Sequence, residues 1–428
     1  MKETFKRLIT DFIRKDIKNI LPREYDIPLK SKKIISLIGV RRSGKSSILF
    51  DIINKLRENI PRENIIYLNF EDDRLFPLKL QNLDDILESY FELYPQNYDK
   101  KFYLFLDEVQ VVDGWEKYVR RVYDNYDIHI YITGSSAKLL SSEIATSLRG
   151  RSITYEIFPL SFSEYLCFKN IEINLHSTKS LGFIKNALNT YIIDGGFIET
   201  IEEDNTIARK ILSDYLELIV YKDIVDRYNI KNRMLLKQLT KYCFTNIATL
   251  ISFTKLYNDF KSQGFKLSKD TIFEYISHLE DAYALFSVAI YKNSIKQEQR
   301  NPKKIFAIDS GFKKIYDYAI GEDLSKLYEN IVFLHLRRET KEIYYYKGRQ
   351  ELDFYANIEG EKLLINVSVD IQDEKTKERE FKALLEAMEY FNSTEAYLIT
   401  KDKESIEEIE GKKIKIVPLY KWLLDKKR

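Results

Sequence analysis

Short stretches dominated by apolar residues recur through the first third of the chain. Segments in which apolar residues recur at helical spacing lie between them. The stretches cover residues 34–38, 65–70, 102–106, 128–132 and 152–158. Apolar stretches of this length are typical of strands that are buried on both faces of a parallel sheet. After the first stretch, one helical face carries Ile48, Leu49, Ile52, Ile53 and Leu56. The pattern predicts an α/β domain, which we place at residues 1–158.

A basic amphipathic helix is predicted at the start of this domain. Its apolar face carries Phe5, Leu8, Ile9, Phe12 and Ile13. Pro22 is expected to end the helix. Its polar face carries acids as well as lysines and arginines, which disfavours a membrane surface. We therefore expect the apolar face to pack on the α/β domain.

Two further regions follow this domain along the chain. Residues 159–233 show helical spacing and predict a helical lid. Residues 234–308 predict a winged helix-turn-helix: two capped helices begin near residues 252 and 268, and two strands follow at 283–291 and 304–308.

The last region, residues 309–428, predicts a second α/β domain. A helix surrounds Glu329, and strands are expected at 343–346, 351–355 and 363–369. This order is similar to that of the PD-(D/E)xK nuclease fold, in which carboxylates bind Mg²⁺ and a lysine orients water.

The sequence GVRRSGKS, residues 39–46, joins the first predicted strand to the helix that follows. The glycines allow backbone N–H groups to turn inward, which makes an anion-binding nest at a helix N-terminus. We predict that Lys45 contacts the β- and γ-phosphates of ATP and that the Ser46 hydroxyl binds Mg²⁺. The predicted ATP-binding residues are Gly39, Arg41, Arg42, Ser43, Gly44, Lys45, Ser46 and Ser47. For Arg41 and Arg42, the phosphates, an adjoining subunit and solvent remain alternatives.

Two carboxylates, Asp107 and Glu108, follow the third apolar stretch. We predict that Asp107 belongs to the Mg²⁺ shell and that Glu108 polarises the attacking water. The second acid indicates the additional-strand, catalytic-glutamate branch of P-loop ATPases. At the end of the next strand, Thr133 or Ser135 can hold that water, and helix capping by Ser135 or Ser136 is the alternative.

Two arginines, Arg149 and Arg151, flank Gly150 before the fifth apolar stretch. Either one can project into the nucleotide site of a neighbouring subunit as an arginine finger. The alternative is a helix C-terminus that carries basic residues to suit the helix dipole.

The motif series GVRRSGKS, NFED, LFLDEVQ with Trp115, ITGSS, LRGR and FPLSFSEY resembles one family. It is the family of prokaryotic, largely archaeal AAA-type ATPases that are fused to a C-terminal domain of unknown function. The resemblance covers most of the chain. It implies an AAA-like core, action on DNA and a homo-oligomer that completes the ATP site, with a hexameric ring among the expected assemblies.

Basic residues in the predicted winged helix are candidates for DNA contact. Lys266, Lys269, Lys303 and Lys304 are expected to contact phosphates. The alternative is a winged helix that is used only for protein packing.

The nuclease-like region departs from the active pattern. Glu329 and Asp353 match its first two carboxylates, but Asn366 and Ser368 stand where the third carboxylate and the lysine are expected. We therefore predict a degenerate, inactive nuclease site.

Composition narrows the class of protein. Lys and Arg number 68 against 66 Asp and Glu, so a nucleic-acid surface must come from local clustering. The apolar stretches are too short to span a membrane, and the N-terminus lacks the apolar core of a signal peptide. A cytoplasmic location is expected.

These features together predict an ATP-hydrolysing AAA-type oligomer that binds DNA and remodels or translocates on it. A nucleotide-dependent signalling switch that binds a protein partner is one alternative. An active Mg²⁺-dependent DNA nuclease is the other.

Overall fold

The computed structural model describes residues 1–18, 20–135, 147–292, 294, 301–316 and 324–425. The chain divides into two units, Met1–Phe158 and Pro159–Arg428. Unit 1 contains the phosphate-loop motif. Unit 2 contains the regions for which the sequence predicts a lid, a winged helix-turn-helix and a second α/β domain.

Unit 1 is built on a parallel sheet, which confirms the α/β prediction. Its described strands are β1 (Ile34–Gly39), β2 (Ile65–Asn69), β3 (Phe102–Asp107), β4 (Ile128–Ser135) and β5 (Ser152–Glu156), in the order β2-β3-β4-β1-β5. Every residue of β1 and β3 is buried, which explains why the sequence shows apolar runs there rather than alternation. Strand β4 lies between β1 and β3.

The helices of unit 1 each carry buried apolar side chains. They are α1 (Lys2–Arg14), α2 (Lys45–Arg57), α3 (Asp84–Leu93) and α4 (Trp115–Asn125). The first helix is shorter than predicted, because it ends at Arg14 rather than at Pro22. Lys15 is extended, and the Arg57 guanidinium donates hydrogen bonds to the carbonyl oxygens of Phe12 and Lys15, at 3.1 and 2.8 Å. The Lys15 N–H also donates a hydrogen bond to the Phe12 carbonyl oxygen, at 3.1 Å, so the Arg57 guanidinium adds to the bonding at this helix end.

Unit 2 begins with a helical segment. Its elements are α5 (Phe162–Phe168), α6 (Thr178–Asp194), α7 (Asn205–Leu218), a π-helical stretch (Ile219–Val225) and α8 (Asp226–Tyr228). A capping box begins α5, in which Ser161 and Glu164 bond each other's backbone N–H groups.

A glycine pair after α6 surrounds a buried carboxylate. Asp309 accepts hydrogen bonds from the N–H groups of Gly196 and Gly311, at 2.7 and 2.8 Å. Gly195 has a φ of 82°, and a Cβ there would lie 1.7 Å from Oδ1 of Asp309. Burial raises the pKa of Asp309 to about 7, although the two backbone hydrogen bonds lower it. Glycine is required at position 195 because the carboxylate leaves no room for a side chain.

The middle of unit 2 combines three helices with a small antiparallel sheet. The elements are α9 (Arg233–Thr245), β6 (Thr249–Ile251), α10 (Phe253–Ser262), α11 (Lys269–Asp281), β7 (Leu285–Val288) and β8 (Lys303–Ala307). The described strands pair in the order β6-β8-β7. Ser252 and Ser268 cap α10 and α11 through their hydroxyl oxygens, as the sequence indicates.

The last part of unit 2 is a mixed sheet with helices. The elements are α12 (Lys313–Tyr316), α13 (Leu324–Glu339), β9 (Ile343–Lys347), β10 (Glu351–Ile358), β11 (Glu361–Val367), α14 (Glu374–Phe391), β12 (Glu395–Thr400), β13 (Ser405–Ile409), β14 (Lys412–Pro418) and α15 (Leu419–Leu424). The sheet order is β13-β14-β12-β11-β10-β9 among the described strands. Within the described ranges, no helix combines the length and the apolar character that a membrane crossing requires.

Candidate nucleotide-binding site

The motif of residues 39–46 forms a tight turn between β1 and α2. Gly39 has a φ of 148°, and a Cβ there would lie 2.1 Å from the carbonyl oxygen of Ile157. Gly44 is the N-cap of α2, with a φ of 93°. Both conformations favour glycine. The loop therefore leads directly into the N-terminus of α2, where the first N–H groups have no intrahelical partner and suit an anion.

Lys45, the first residue of α2, is held inside this loop. Its side chain is buried, and Nζ donates hydrogen bonds to the carbonyl oxygens of Gly39 and Val40, each at 3.0 Å. When a nucleotide binds in the loop, an ammonium in this position can donate hydrogen bonds to the phosphate oxygens instead of to these carbonyl oxygens.

Arg23 also holds the loop, although it is not among the predicted site residues. Its guanidinium donates hydrogen bonds to the carbonyl oxygens of Ser43 and Phe158, each at 2.8 Å, and lies over the ring of Tyr25. No local pattern indicates this role, because Arg23 lies in an irregular segment and its partners are distant in sequence.

Asp107 lies at the end of β3, where several hydroxyl groups meet it. The Tyr67 hydroxyl donates a hydrogen bond to Oδ2 at 2.8 Å, and the Thr133 hydroxyl donates one to Oδ1. Ser46 also hydrogen-bonds to this carboxylate. Burial raises the pKa of Asp107 above its ordinary value, and the hydrogen bonds from Thr133, Ser46 and Tyr67 oppose that rise. A cation beside this carboxylate would stabilise its charged form.

Glu108 follows in a left-handed backbone conformation, with a φ of 56°. Its N–H donates a hydrogen bond to Oγ1 of Thr133 at 3.0 Å, and its carboxylate accepts one from the amide of Gln110. A non-glycine residue in this conformation costs energy and is common at functional sites. Thr133 thus contacts both acids. The contacts of Tyr67 with Asp107 and of Gln110 with Glu108 were not predicted from the sequence and are known only from the structure.

The donor set at this place fits Mg²⁺, which prefers hard oxygen ligands. The hydroxyl of Ser46 and the carboxylate of Asp107 would hold the ion, because the two groups already lie within hydrogen-bonding distance of each other. Strand β4 separates β1 from β3, so its Thr133 lies between the phosphate loop and the two acids.

The two arginines inside the loop differ in their surroundings. Arg41 forms an ion pair with Glu71, with 3.4 Å between Nη1 and Oε1. Arg42 is exposed and has a left-handed φ of 65°. Arg41 therefore links the loop to Glu71, two residues after the end of β2.

Arg149 and Arg151 lie near the N-terminal end of β1, whereas the phosphate loop follows its C-terminal end. The N–H of Ile34, the first residue of β1, donates to the carbonyl oxygen of Arg151 at 2.8 Å. Arg151 also forms two hydrogen bonds with Asp124, at 3.0 and 3.1 Å, whereas Arg149 is exposed. Neither arginine belongs to the phosphate loop of its own chain.

The four lysines predicted to contact DNA fall into two groups. Lys266 and Lys269 are exposed at the start of α11, and Lys303 is half-buried. Lys304 is 2% exposed and ion-paired with Glu329, Glu351 and Asp353. The prediction for Lys304 is wrong, because a buried ammonium with three carboxylate partners does not reach a DNA phosphate.

The strand order, the glycine-bounded loop and the Asp107–Glu108 pair define unit 1 as an AAA-type P-loop ATPase domain. An AAA domain family matches residues 31–166, and a domain of unknown function, DUF8612, matches residues 185–316.

The chain belongs to the family of protein MJ1544 of Methanocaldococcus jannaschii, a protein described as uncharacterised. The two are 37% identical over 418 residues, which cover 95% of this chain and 91% of the relative. An uncharacterised protein of Haemophilus influenzae is 32% identical over 402 residues, or 92% of this chain and 94% of that protein.

Two solved structures are similar in part. One is the Aeropyrum pernix Orc1 protein in complex with DNA, with a TM-score of 0.31 and 11% identity over 76% of this chain and 93% of that one. The other is AMPPCP-bound DnaA from Aquifex aeolicus, with a TM-score of 0.25 and 12% identity over 65% and 86%. At these scores the likeness adds no argument about function.

Proposed function

We propose that unit 1 hydrolyses ATP. The observation that carries the proposal is the network around Thr133, whose hydroxyl contacts the Asp107 carboxylate and the N–H of Glu108. Ser46, which follows the loop lysine, reaches the same carboxylate. The side chains that we assign to metal binding and water activation therefore contact one network, and Lys45, to which we assign phosphate binding, directly precedes Ser46 in the chain.

Each group has a distinct task in this proposal. Lys45 binds the β- and γ-phosphates, and Ser46 and Asp107 hold the metal ion. When bound, Mg²⁺ neutralises charge that develops on the phosphate oxygens. Glu108 accepts a proton from the attacking water, and Gln110 and Thr133 orient Glu108 through its carboxylate and its backbone.

Phosphate release from ATP with Mg²⁺ tests this function. Wild-type protein should turn over ATP, and the Lys45→Ala variant should lose nucleotide binding and turnover together. Tight retention of nucleotide by a monomer with negligible turnover would instead favour the signalling switch.

We propose further that unit 2 binds DNA. We infer a winged helix-turn-helix from the order of α9, β6, α10, α11 and the antiparallel pair of β7 and β8, and in such a domain the second helix of the α10–α11 pair would face the duplex. Lys266 and Lys269 are exposed at the start of α11, where a basic residue can contact a phosphate. Phe273, on the same helix, is 42% exposed.

Replacing Lys266 and Lys269 by alanine should weaken DNA binding and reduce its salt dependence. The plot of log affinity against log salt should lose about 0.9 in slope for each lost phosphate contact. Fluorescence anisotropy with a labelled duplex at several salt concentrations measures both effects.

Lys375→Ala/Lys382→Ala is the matched control, because these exposed lysines on α14 carry the same charge change away from α11. An equal loss of affinity in both double variants would show that only net charge matters. No binding by wild-type protein at low salt would contradict the proposal and favour protein packing.

A further inference from the structure

A lysine ammonium lies at the centre of the nuclease-like carboxylate cluster. Lys304 extends from β8, and its side chain is 2% exposed. Its Nζ is 2.8 Å from Oδ1 of Asp353, 2.9 Å from Oε1 of Glu351 and 3.3 Å from Oε2 of Glu329. The ammonium has three N–H donors, so each can face one carboxylate.

The carboxylates converge from separate elements. Glu329 comes from α13, and Glu351 and Asp353 come from β10. The second oxygen of Asp353 accepts a hydrogen bond from the N–H of Val367 at 2.9 Å, and the other oxygen of Glu329 pairs with Lys326 at 3.0 Å. These bonds hold both acids in place.

Asn366 and Ser368, the residues that depart from the nuclease pattern, have other partners. The Asn366 side chain accepts a hydrogen bond from the N–H of Asp353 and donates one to Glu380, at 3.0 and 2.7 Å. Ser368 donates to the carbonyl oxygen of Asp370. Asn366 therefore braces the cluster, and no lysine extends from β11 toward it at these two positions.

The electrostatics favour a charged lysine. Burial lowers the pKa of Lys304, but the carboxylates of Asp353, Glu329 and Glu351 outweigh burial and raise that pKa above its ordinary value. The distances of 2.8 and 2.9 Å from Nζ to Asp353 and Glu351 are those of charge-assisted hydrogen bonds, and Glu329 is farther away at 3.3 Å. Mg²⁺ would require oxygen ligands at about 2.0–2.1 Å. With the ammonium among them, the three carboxylates are not arranged to hold a metal ion, and the described ranges contain no other such group of His, Cys, Asp or Glu side chains.

We propose that Lys304 is a built-in counter-cation whose ammonium occupies the place between these carboxylates that a divalent metal ion would otherwise take. The last α/β domain therefore binds no catalytic metal and does not cut DNA. The same ion cluster fastens the β7–β8 hairpin to α13 and β10. Lys304 thus has a structural task that links the proposed DNA-binding element to the domain that follows it.

Melting temperatures of nucleotide-free protein test this inference. Lys304→Met keeps a flexible side chain of nearly the same length but removes its charge, which leaves the buried Glu329 and the half-buried Glu351 and Asp353 without the ammonium. The variant should melt about 10 °C below wild type in EDTA. Millimolar Mn²⁺ should recover most of that loss, leave wild type unchanged, and have no effect on Lys304→Met/Asp353→Asn. Equal stabilisation of wild type by Mn²⁺, or a Lys304→Met variant that melts like wild type, would overturn the proposal.

Two further measurements begin with wild-type protein. Acetylation of native protein followed by mass spectrometry should modify Lys303, which is half-buried, far more than Lys304, with or without Mn²⁺. Exposure of Lys304 by Mn²⁺ would show that metal displaces the ammonium. Supercoiled plasmid should stay intact in Mg²⁺ or Mn²⁺. Cleavage that disappears in Asp353→Asn would establish an active nuclease and refute the inference.

Discussion

Replacing Glu108 by glutamine is expected to stop ATP hydrolysis while ATP binding is retained. Glutamine has nearly the shape of glutamate but cannot accept a proton from the attacking water. Loss of a positioned general base lowers turnover by roughly 10²–10⁴-fold. Phosphate release and binding of a fluorescent ATP analogue, measured on the same preparation, separate the two effects.

Lys45→Ala should lose ATP binding as well as hydrolysis, whereas Glu108→Gln should lose hydrolysis alone. Gln110→Ala is the graded control: it removes a partner of the Glu108 carboxylate but leaves the acid, so turnover should fall less than in Glu108→Gln. Turnover of Glu108→Gln close to wild type would mean that another group activates the water.

Much of unit 1 was predictable because its strands and its phosphate loop are specified by residues that are neighbours in the sequence. A strand buried on both faces requires consecutive apolar residues, and a turn such as that at Gly39 admits only glycine. The loop, the acids at the end of β3 and the apolar strands can therefore be recognised without the fold. The caps at Ser252 and Ser268 are likewise local, since each bonds an N–H three residues away.

The contacts that the sequence did not predict join residues that are far apart along the chain. Lys304 has the sequence context of a surface lysine, beside Lys303, and only the pairing of β8 within unit 2 brings it to carboxylates 25 to 49 residues away. Tyr67 reaches Asp107 from a neighbouring strand, and Arg23 reaches Phe158 across 135 residues. Contacts of this kind depend on strand order and register, which local hydrophobic patterning does not specify.

Arg149→Ala should lower ATP turnover by roughly 10³–10⁵-fold if Arg149 acts as an arginine finger between subunits. Arg149 lies near the start of β1, and the five steps from Ile34 to Gly39 span roughly 16 Å of strand. Arg149 is exposed at the end of the sheet opposite its own phosphate loop. The nucleotide site that it can complete is therefore that of a neighbouring subunit. Arg151→Ala is the matched control, because Arg151 is engaged by Asp124 and its loss should reduce turnover far less.

Mixing two inactive variants decides whether the arginine acts between subunits. Lys45→Ala cannot use ATP but still presents Arg149, whereas Arg149→Ala keeps an intact phosphate loop. In a mixed oligomer, the intact loop would receive the arginine of its neighbour, so phosphate release should reappear on mixing and depend on protein concentration. Release that stays at the level of the separate variants, in a mixture shown by light scattering to form oligomers, would argue that Arg149 does not act in trans.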